Sequence, residues 1–367
     1  MTDYKGIPIK NVYYMLTYAF SELRKKQYED IDKEDFENIQ DLFAEILYRG
    51  MSMQLKQGLH REYVLRNDSL STLRGKLDII GTIANRIKQR PQLACEFDEL
   101  SENIIFNQIL KTTATILFRE KSVKQGHKRQ LRNLMPFFDN VQEIDPFTIH
   151  WNTFRYQRGN QTYRMLMNIC YFVLDGMLLT TESGHYRMAT FSEDHLFRLY
   201  ERFVLEFFRH HYPRLSAHPD QISWNVDMEH SPCIEFLPTM QTDITLHKGD
   251  KTLIIDTKCY RQMMQNLYDK QTIRSSHLYQ IFTYVKNLDK NNTGNVSGML
   301  LYARTWEEVE PDLNVIIGGN RIMARTLDLN QDFDGIRKQL NGIAKILLSH
   351  EESPIASLNS LGETSQK

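Results

Sequence analysis

Apolar residues recur at helical spacing in the first part of the chain, interrupted by one strand-like region. Asn11 is a good N-cap for a first helix, and a second amphipathic helix ends at Gly58. Residues 61–82 contain EYVLRND and GKLDIIG, which read as two strands, and residues 98–118 are helical again. The pattern predicts a mostly helical N-terminal domain with a small β element over residues 1–185.

A second pattern begins after a break at residues 183–190. An apolar helix near residues 195–212 precedes a strand hairpin, and another helix, two further strands (GMLLYAR and NVIIGG) and a last helix follow. We predict that residues 186–350 form a mixed sheet flanked by helices, which makes the whole chain α/β (α+β). Residues 351–367 are polar and small, and are predicted to be a disordered tail.

The hairpin in TDITLHKGDKTLIIDTK carries the clearest chemical signal of the chain. Asp243 lies at the start of its first strand and Asp256 near the end of its second, so antiparallel pairing places both carboxylates at one end of the sheet. Lys258 shares a face of the strand with Asp256, because side chains at i and i+2 point the same way. The sequence predicts that these three side chains meet.

Converging carboxylates and a lysine are typical of a metal-dependent phosphodiesterase. Mg²⁺ prefers a few carboxylates and leaves its other positions to water and phosphate oxygens. A compact ammonium group beside it can orient the attacking water and hold the phosphate. The ordinary alternative is a surface hairpin that ends in Asp-Thr-Lys, and a spacing this short does not decide between the two.

The helices on either side of the hairpin supply further polar candidates. In HLYQIFTYVKNL, Gln280 and Tyr284 are an i, i+4 pair on one face and could reach the DNA backbone or the lysine. In HLFRLYERFVLEFFRHHY, Glu201 and Glu206 flank the apolar stripe on opposite sides. Either glutamate is a candidate third acidic group, with Glu201 as the predicted metal ligand. A solvated helix edge explains each of them equally well.

The order of these elements resembles the PD-(D/E)xK nuclease superfamily, in the branch whose last helix carries Q-x-x-x-Y. Thr242 stands where that name requires a proline, but the proline contributes no chemistry. Four further blocks are similar to the McrC family of the McrBC modified-cytosine restriction systems, and the match runs in order from about residue 7 to residue 348. The blocks are IPIKNVYYMLTYAFSEL, LRGKLDIIGTI, CEFDELSENIIFNQILKTTATIL and GHYRMATF.

This resemblance implies a DNA endonuclease that is active as part of a complex. Its partner would be an McrB-like AAA+ GTPase ring that binds GTP, recognises the modified base and is stimulated by this chain through its N-terminal domain. The substrate would be double-stranded DNA with modified cytosine. By position, Asp243, Asp256 and Lys258 would form the catalytic core, with Gln280 and Tyr284 as supports, and Mg²⁺ as the cofactor.

Composition agrees with a subunit of this kind. The formal charge is −1 and the pI about 6.9, so DNA affinity would have to be local or come from a partner. The basic cluster at residues 119–132 could contact phosphates, although a solvated helix face is the more common role of such a run. The sequence contains no G-x-x-x-x-G-K-[ST] motif, which predicts that GTP binds elsewhere.

The sequence shows neither a targeting signal nor a membrane span, so we expect a cytoplasmic protein without membrane contact. Its four cysteines are scattered, which favours reduced thiols. Two rival functions remain open. One is an autonomous PD-(D/E)xK repair or anti-phage nuclease, and the other is a non-catalytic assembly factor for an AAA+ ring.

Overall fold

The structure, a computed structural model, describes most of the chain. The described residues are 3–4, 7–156, 161–175, 193–227, 234–259, 264–267, 270–304 and 311–348. The chain forms two compact units, one of Met1–Leu42 with Phe191–Lys367 and one of Phe43–Thr190. The predicted break at residues 183–190 and the predicted tail at 351–367 lie outside the described residues.

The secondary structure is mixed. The α-helices of the described residues are α1 (Ile9–Ala19), α2 (Ile39–Gln57), α3 (Ile79–Ile87), α4 (Ile105–Arg119), α5 (Gln125–Leu134), α6 (Gln161–Asp175), α7 (Glu193–His211), α8 (Ser275–Leu288) and α9 (Phe333–Ala344). The strands are β1 (Asp3–Tyr4), β2 (Ile7–Pro8), β3 (Glu62–Leu70), β4 (Lys76–Leu77), β5 (Leu93–Ser101), β6 (Gln221–Ile222), β7 (Met240–Gln241), β8 (Ile244–Lys248), β9 (Lys251–Lys258), β10 (Met264–Leu267), β11 (Lys270–Ile273), β12 (Val296–Ala303), β13 (Leu313–Ile317) and β14 (Asn320–Leu327).

The unit Phe43–Thr190 combines helices with a small antiparallel sheet in the order β3-β5-β4. Tyr163 of α6 joins two elements of this unit, since its hydroxyl donates to Asn107 Oδ1 at 2.8 Å and accepts from the backbone N–H of His60 at 3.1 Å. Burial raises the pKa of Tyr163 to about 12, so the phenol keeps the proton that it donates.

Two local predictions for this unit are wrong. GKLDIIG is not a strand, because β4 is only two residues long and α3 begins at Ile79. Asp78 explains the change, since its carboxylate caps the helix by accepting from Gly81 N at 3.1 Å. The stretch from Asp98 to Ser101 is not helical either, because it is the end of β5 and pairs with β3.

Helix α3 presents an unusual apolar surface. None of its nine residues, all of which the structure describes, is buried. Ile79, Ile80, Ile83 and Ile87 are exposed by 65%, 81%, 54% and 77%. Apolar side chains of the neighbouring sheet are exposed as well, with Tyr63 at 75% and Leu65 at 58%. We call the four isoleucines of α3 the apolar face, because their spacing places them on one side of the helix, and exposed apolar area of this kind can mark an interaction site.

The other unit contains a five-stranded mixed sheet in the order β13-β14-β12-β9-β8. Strands β9, β12 and β14 run parallel, and β8 and β13 are antiparallel edge strands. Helix α8 packs on one face, where Ile281 and Val285 join Ile254, Leu300 and Ile322 in a buried cluster. A Cβ at Gly298 would lie 2.7 Å from Ile281, so the absence of a side chain there allows the close approach of α8.

Helix α1 belongs to the unit with the five-stranded sheet, which differs from the predicted single boundary near residue 185. Tyr18 of α1 packs edge-on against Phe203 of α7, and its hydroxyl lies 2.7 Å from His211 Nε2. Asn11 is not the N-cap, which is Pro8. Instead its buried side chain donates to the carbonyl oxygens of Leu329 and Gln331, at 2.8 and 2.7 Å.

The predicted α/β fold class is confirmed, with helices around a small sheet in one unit and a mixed sheet flanked by helices in the other. Among the described residues, no helix combines the length and apolar character needed to cross a membrane.

Candidate functional site

The β8–β9 hairpin brings Asp243 next to Asp256. Lys248 pairs with Lys251 across a turn at Gly249 and Asp250, and Gly249 has a φ of +59°, which favours glycine. The same register pairs Ile244 with Ile255, so Asp243, one residue before β8, lies beside Asp256. This is the predicted meeting of the two acids at one end of the sheet.

Thr257 fixes the orientation of Asp243. Asp243 Oδ2 accepts hydrogen bonds from the backbone N–H and from the hydroxyl of Thr257, each at 2.7 Å. Two donors on one carboxylate oxygen hold the group in a single rotamer. The two bonds to Thr257 also fix the direction of the other carboxylate oxygen, Oδ1, which takes no part in them.

A chain of polar contacts leads from Asp256 to helix α8. Lys258 Nζ lies 2.6 Å from Asp256 Oδ2 and donates to Gln280 Oε1 at 3.1 Å. Gln280 Nε2 donates in turn to the hydroxyl of Tyr284 at 3.0 Å. Asp256 and Lys258 are 1% and 6% exposed, so the pair is desolvated. The i, i+4 pair on α8 thus reaches the lysine, as the sequence suggested.

Glu201 and Glu206 have different surroundings. Burial, followed by the charges of Asp243 and Asp256, raises the pKa of Glu201 to about 7. Glu206 forms an ion pair with Arg209 at 2.8 Å and a longer one with Arg202 at 3.8 Å, both on α7. Glu201 is therefore the glutamate whose ionisation is affected by the two aspartates.

These acids suit a hard cation. Burial raises the pKa of Asp256 to about 6, and the neighbouring Asp243 adds to the shift, although Lys258 opposes it. Asp256 Oδ2 is buried and lies 2.6 Å from Lys258 Nζ. Two neighbouring carboxylates that repel one another match the oxygen donors that Mg²⁺ binds.

The charge on Glu201 is expected to destabilise the metal-free chain. Because its pKa is raised in the folded state, the penalty is present above pH 7 and disappears as the pH falls through about 7 toward the unfolded value. Glu201→Gln should therefore increase the free energy of unfolding by about 1–2 kcal/mol at pH 8 and hardly at pH 5, allowing for partial solvent screening. Chemical denaturation in a chelator at both pH values measures this.

Glu206→Gln is the matched control for that measurement, because it removes a carboxylate from the same helix at a solvated ion pair. It should give no gain at either pH. An equal gain for both variants would show that Glu201 does not face the aspartates.

Two residues near the site have no counterpart among the sequence candidates. The sequence did not predict the role of Thr257, because the motif consists of its two neighbours, Asp256 and Lys258, and specifies no residue between them. His277 has its Nδ1 3.0 Å from the hydroxyl of Tyr302. Burial, with the charges of Lys258 and Arg274, lowers the pKa of His277 to about 4, so it is neutral near pH 7.

The remaining sequence candidates lie elsewhere. Part of the basic cluster falls on α5, where His127 and Lys128 are buried rather than available to a phosphate backbone. Cys95, Cys170 and Cys259 are buried and form no disulfide among the described residues, and Cys233 lies outside those residues.

Comparisons with known proteins agree with the motif order. The model of the McrBC 5-methylcytosine restriction system component family matches residues 6–303. The type IV methyl-directed restriction enzyme EcoKMcrBC of Escherichia coli (strain K12) is 25% identical over 336 residues, which are 91% of this chain and 96% of that relative.

A solved structure has a similar fold. It is a refined half-complex from a tetradecameric assembly of Thermococcus gammatolerans McrB AAA+ hexamers with bound McrC. The similarity has a TM-score of 0.50 at 18% identity and covers 92% of this chain and 76% of that chain. The family match over most of the sequence confirms the resemblance, and the chain belongs to the family of McrBC 5-methylcytosine restriction system components.

Proposed function

We propose that this chain is the endonuclease subunit of a GTP-dependent restriction complex that cleaves DNA containing modified cytosine. The observation that supports this most strongly is the pairing of Asp243 with Asp256 beside the desolvated Lys258, and the charges of both aspartates also raise the pKa of Glu201. The family of the chain indicates a role in a restriction system, and the side chains of the site indicate phosphodiester hydrolysis.

Asp243 and Asp256, with Glu201, are the residues that would hold Mg²⁺. Bound there, Mg²⁺ supplies a Lewis acid that stabilises the negative charge developing on the scissile phosphate. Thr257 keeps Asp243 aligned for this role through its two hydrogen bonds. Glu201 must be deprotonated to act as a ligand, so ion binding should weaken as the pH falls below about 7.

Lys258 is the group that acts on substrate. Its ammonium carries three donors, and among the described residues Asp256 and Gln280 engage two of them, so a third donor could hold a phosphate oxygen or the attacking water. Gln280 and Tyr284 act as positioning residues, because they restrain the lysine rather than the reacting atoms. The catalytic step is hydrolysis of a phosphodiester bond in DNA.

The partner is an AAA+ GTPase ring of the McrB type. The chain itself has no P-loop motif, so GTP would be bound by the partner, whose hydrolysis this chain would stimulate. The related structure contains McrB AAA+ hexamers with bound McrC. Within the present chain the apolar face of the unit Phe43–Thr190 is a suitable contact surface, because exposed isoleucines gain most from burial against a protein partner.

Reconstitution tests this function. The chain is combined with the McrB-like protein of the same organism and incubated with Mg²⁺ on methylated and unmethylated plasmids, with GTP or with ATP. We expect cleavage of methylated DNA with GTP and little cleavage in every other combination, because recognition and translocation reside in the partner.

Two results would contradict the proposal. Rapid cleavage by the isolated chain with Mg²⁺ alone would indicate an autonomous nuclease. Stimulation of GTP hydrolysis without any cleavage of methylated DNA would indicate an assembly factor that keeps only the nuclease fold.

A further inference from the structure

A second cluster of metal-binding side chains lies away from the acidic site. It comprises His218 and Asp220, which follow α7, and His247 on β8. The ligand atoms of the three residues all lie within 4.8 Å of one another. Asp220 bridges the two imidazoles, since its Oδ1 is 2.8 Å from His218 Nε2 and its Oδ2 is 3.0 Å from His247 Nε2. The rings are 5.2 Å apart and nearly parallel, at 30°.

The hydrogen bond at Nδ1 of His218 determines whether its Nε2 carries a proton or a lone pair. Nδ1 of His218 contacts the carbonyl oxygen of Ser216, which can only accept, so Nδ1 carries the proton. In the neutral ring, Nε2 then has a lone pair directed at a carboxylate oxygen. Two acceptors face each other at hydrogen-bond distance, and this arrangement is stable only with a cation or a proton between them.

The surroundings of the rings are those of histidine ligands. A metal-bound imidazole usually donates its other N–H to a carbonyl or a similar acceptor, which fixes the tautomer. Ser216 O has this role for His218, and Thr252 Oγ1, 3.1 Å from His247 Nδ1, can have it for His247. Two Nε2 atoms and a carboxylate oxygen form the mixed N/O set that Zn²⁺ accepts, with water in the fourth position.

Only small side-chain movements are needed to bind an ion. Around tetrahedral Zn²⁺ with bonds of roughly 2.0–2.1 Å, neighbouring ligand atoms are about 3.3 Å apart. The observed separations of 2.8 and 3.0 Å, each to a different oxygen of Asp220, are close to this value, and all three ligand atoms lie within 4.8 Å of one another. All three side chains are partly exposed, by 45%, 24% and 35%, so an ion can reach them from solvent.

The cluster is separate from the nuclease centre. Asp243 precedes β8, whereas His247 is four residues further along, which corresponds to about 13 Å of extended strand. One ion cannot bridge both sites. Their backbones are nevertheless connected, because Thr242 N donates to Asp220 O at 2.9 Å and Asp220 N donates to Thr242 Oγ1 at 2.8 Å.

We propose that His218, Asp220 and His247 form a zinc site that ties the segment after α7 to the nuclease hairpin. The ion would cross-link residues 218–220 to β8. Through the Asp220–Thr242 hydrogen bonds it would hold the residue that precedes Asp243. Binding to the folded chain alone would also stabilise the fold.

Direct metal binding tests the proposal on the full chain with any affinity tag removed. Isothermal titration with Zn²⁺ in excess Mg²⁺ should give one tight site per chain, and Zn²⁺ should raise the unfolding temperature. Co²⁺ should give the visible absorption of a tetrahedral N/O site. His247→Gln and Asp220→Asn should each weaken Zn²⁺ binding by about 100-fold or more. Asp220→Asn keeps the backbone contacts to Thr242, and circular dichroism checks that both variants are folded.

Two controls locate the ion. His150→Gln removes an exposed histidine from the other unit and should leave zinc binding unchanged. Asp256→Asn alters the nuclease centre and should also leave it unchanged, whatever its effect on cleavage. Absence of a tight zinc site in the wild-type chain would overturn the proposal and assign the cluster to a protonated histidine–aspartate pair. Equal affinity in folded His247→Gln would overturn it as well.

Discussion

Asp256→Asn should reduce DNA cleavage by the reconstituted complex about 10³-fold or more. The substitution keeps the size of the side chain but removes the charge that is buried at 1% exposure and paired with Lys258 at 2.6 Å. Under the proposed function this removes a ligand charge for the cation and the ion pair of the lysine in one step, and groups that act as a unit fail together. Initial rates on methylated plasmid with GTP and saturating Mg²⁺ measure the effect.

GTP hydrolysis by the same complex is the internal control, because it should persist when only the nuclease centre is altered. Asp250→Asn is the matched variant, since Asp250 lies exposed in the turn of the same hairpin, at the opposite end of β9. It should cut at the wild-type rate. If Asp256→Asn retained normal cleavage while its GTPase activity was also normal, the catalytic role of Asp256 would be wrong.

Ile80→Asp combined with Ile87→Asp should weaken assembly with the AAA+ partner by about 100-fold or more. Both side chains are more than three-quarters exposed, at 81% and 77%, so the chain alone has little packing to lose. A carboxylate forced into an apolar interface must be desolvated without a partner, and central interface residues often contribute more than about 2 kcal/mol. Analytical ultracentrifugation or titration with the labelled partner measures the affinity.

Ile316→Asp provides the comparison for this experiment. Ile316 is exposed by 77% on the edge strand β13, in the other unit, so it matches the test residues in type and exposure. It should leave assembly unchanged. Wild-type affinity of a correctly folded Ile80→Asp/Ile87→Asp chain would remove the apolar face from the interface.

The hairpin could be predicted from sequence because its signals are local. The alternation in Ile244–Lys248, the apolar run before Asp256 and the Gly-Asp turn fix the register together, and register alone brings Asp243 to Asp256. The Gln280–Tyr284 pair was predictable for the same reason, since helical spacing determines that both share a face.

The choice between Glu201 and Glu206 depends on tertiary contacts. Both flank the apolar stripe of α7, and only the packing of that helix brings Glu201 under the influence of the aspartates, whereas the ion pair of Glu206 with Arg209 is a local i, i+3 contact. Thr257 is similar, because its bonds to Asp243 cross between strands. Sequence periodicity therefore predicts neither the surroundings of Glu201 nor the bonds of Thr257.

Helix α3 and the position of α1 show a second reason why parts of the fold could not be predicted from sequence. The apolar run directly after Asp78 is short, so a strand and a helix both fit it, and the exposure of its isoleucines breaks the rule that apolar residues mark a core. Asn11 looks like a cap from sequence, yet it bonds to residues more than 300 positions away. The grouping of Met1–Leu42 with the C-terminal part rests on such long-range contacts.

Anomalous diffraction from crystals soaked in Mn²⁺ shows whether Asp243 and Asp256 share a divalent cation, because Mn²⁺ can replace Mg²⁺ in an oxygen site and gives an anomalous signal. We expect one strong peak coordinated by carboxylate oxygens of both Asp243 and Asp256, and we expect this peak to disappear in Asp256→Asn crystals. Mn²⁺ bound only elsewhere, with the two carboxylates directed apart, would contradict a metal-dependent nuclease centre in this chain.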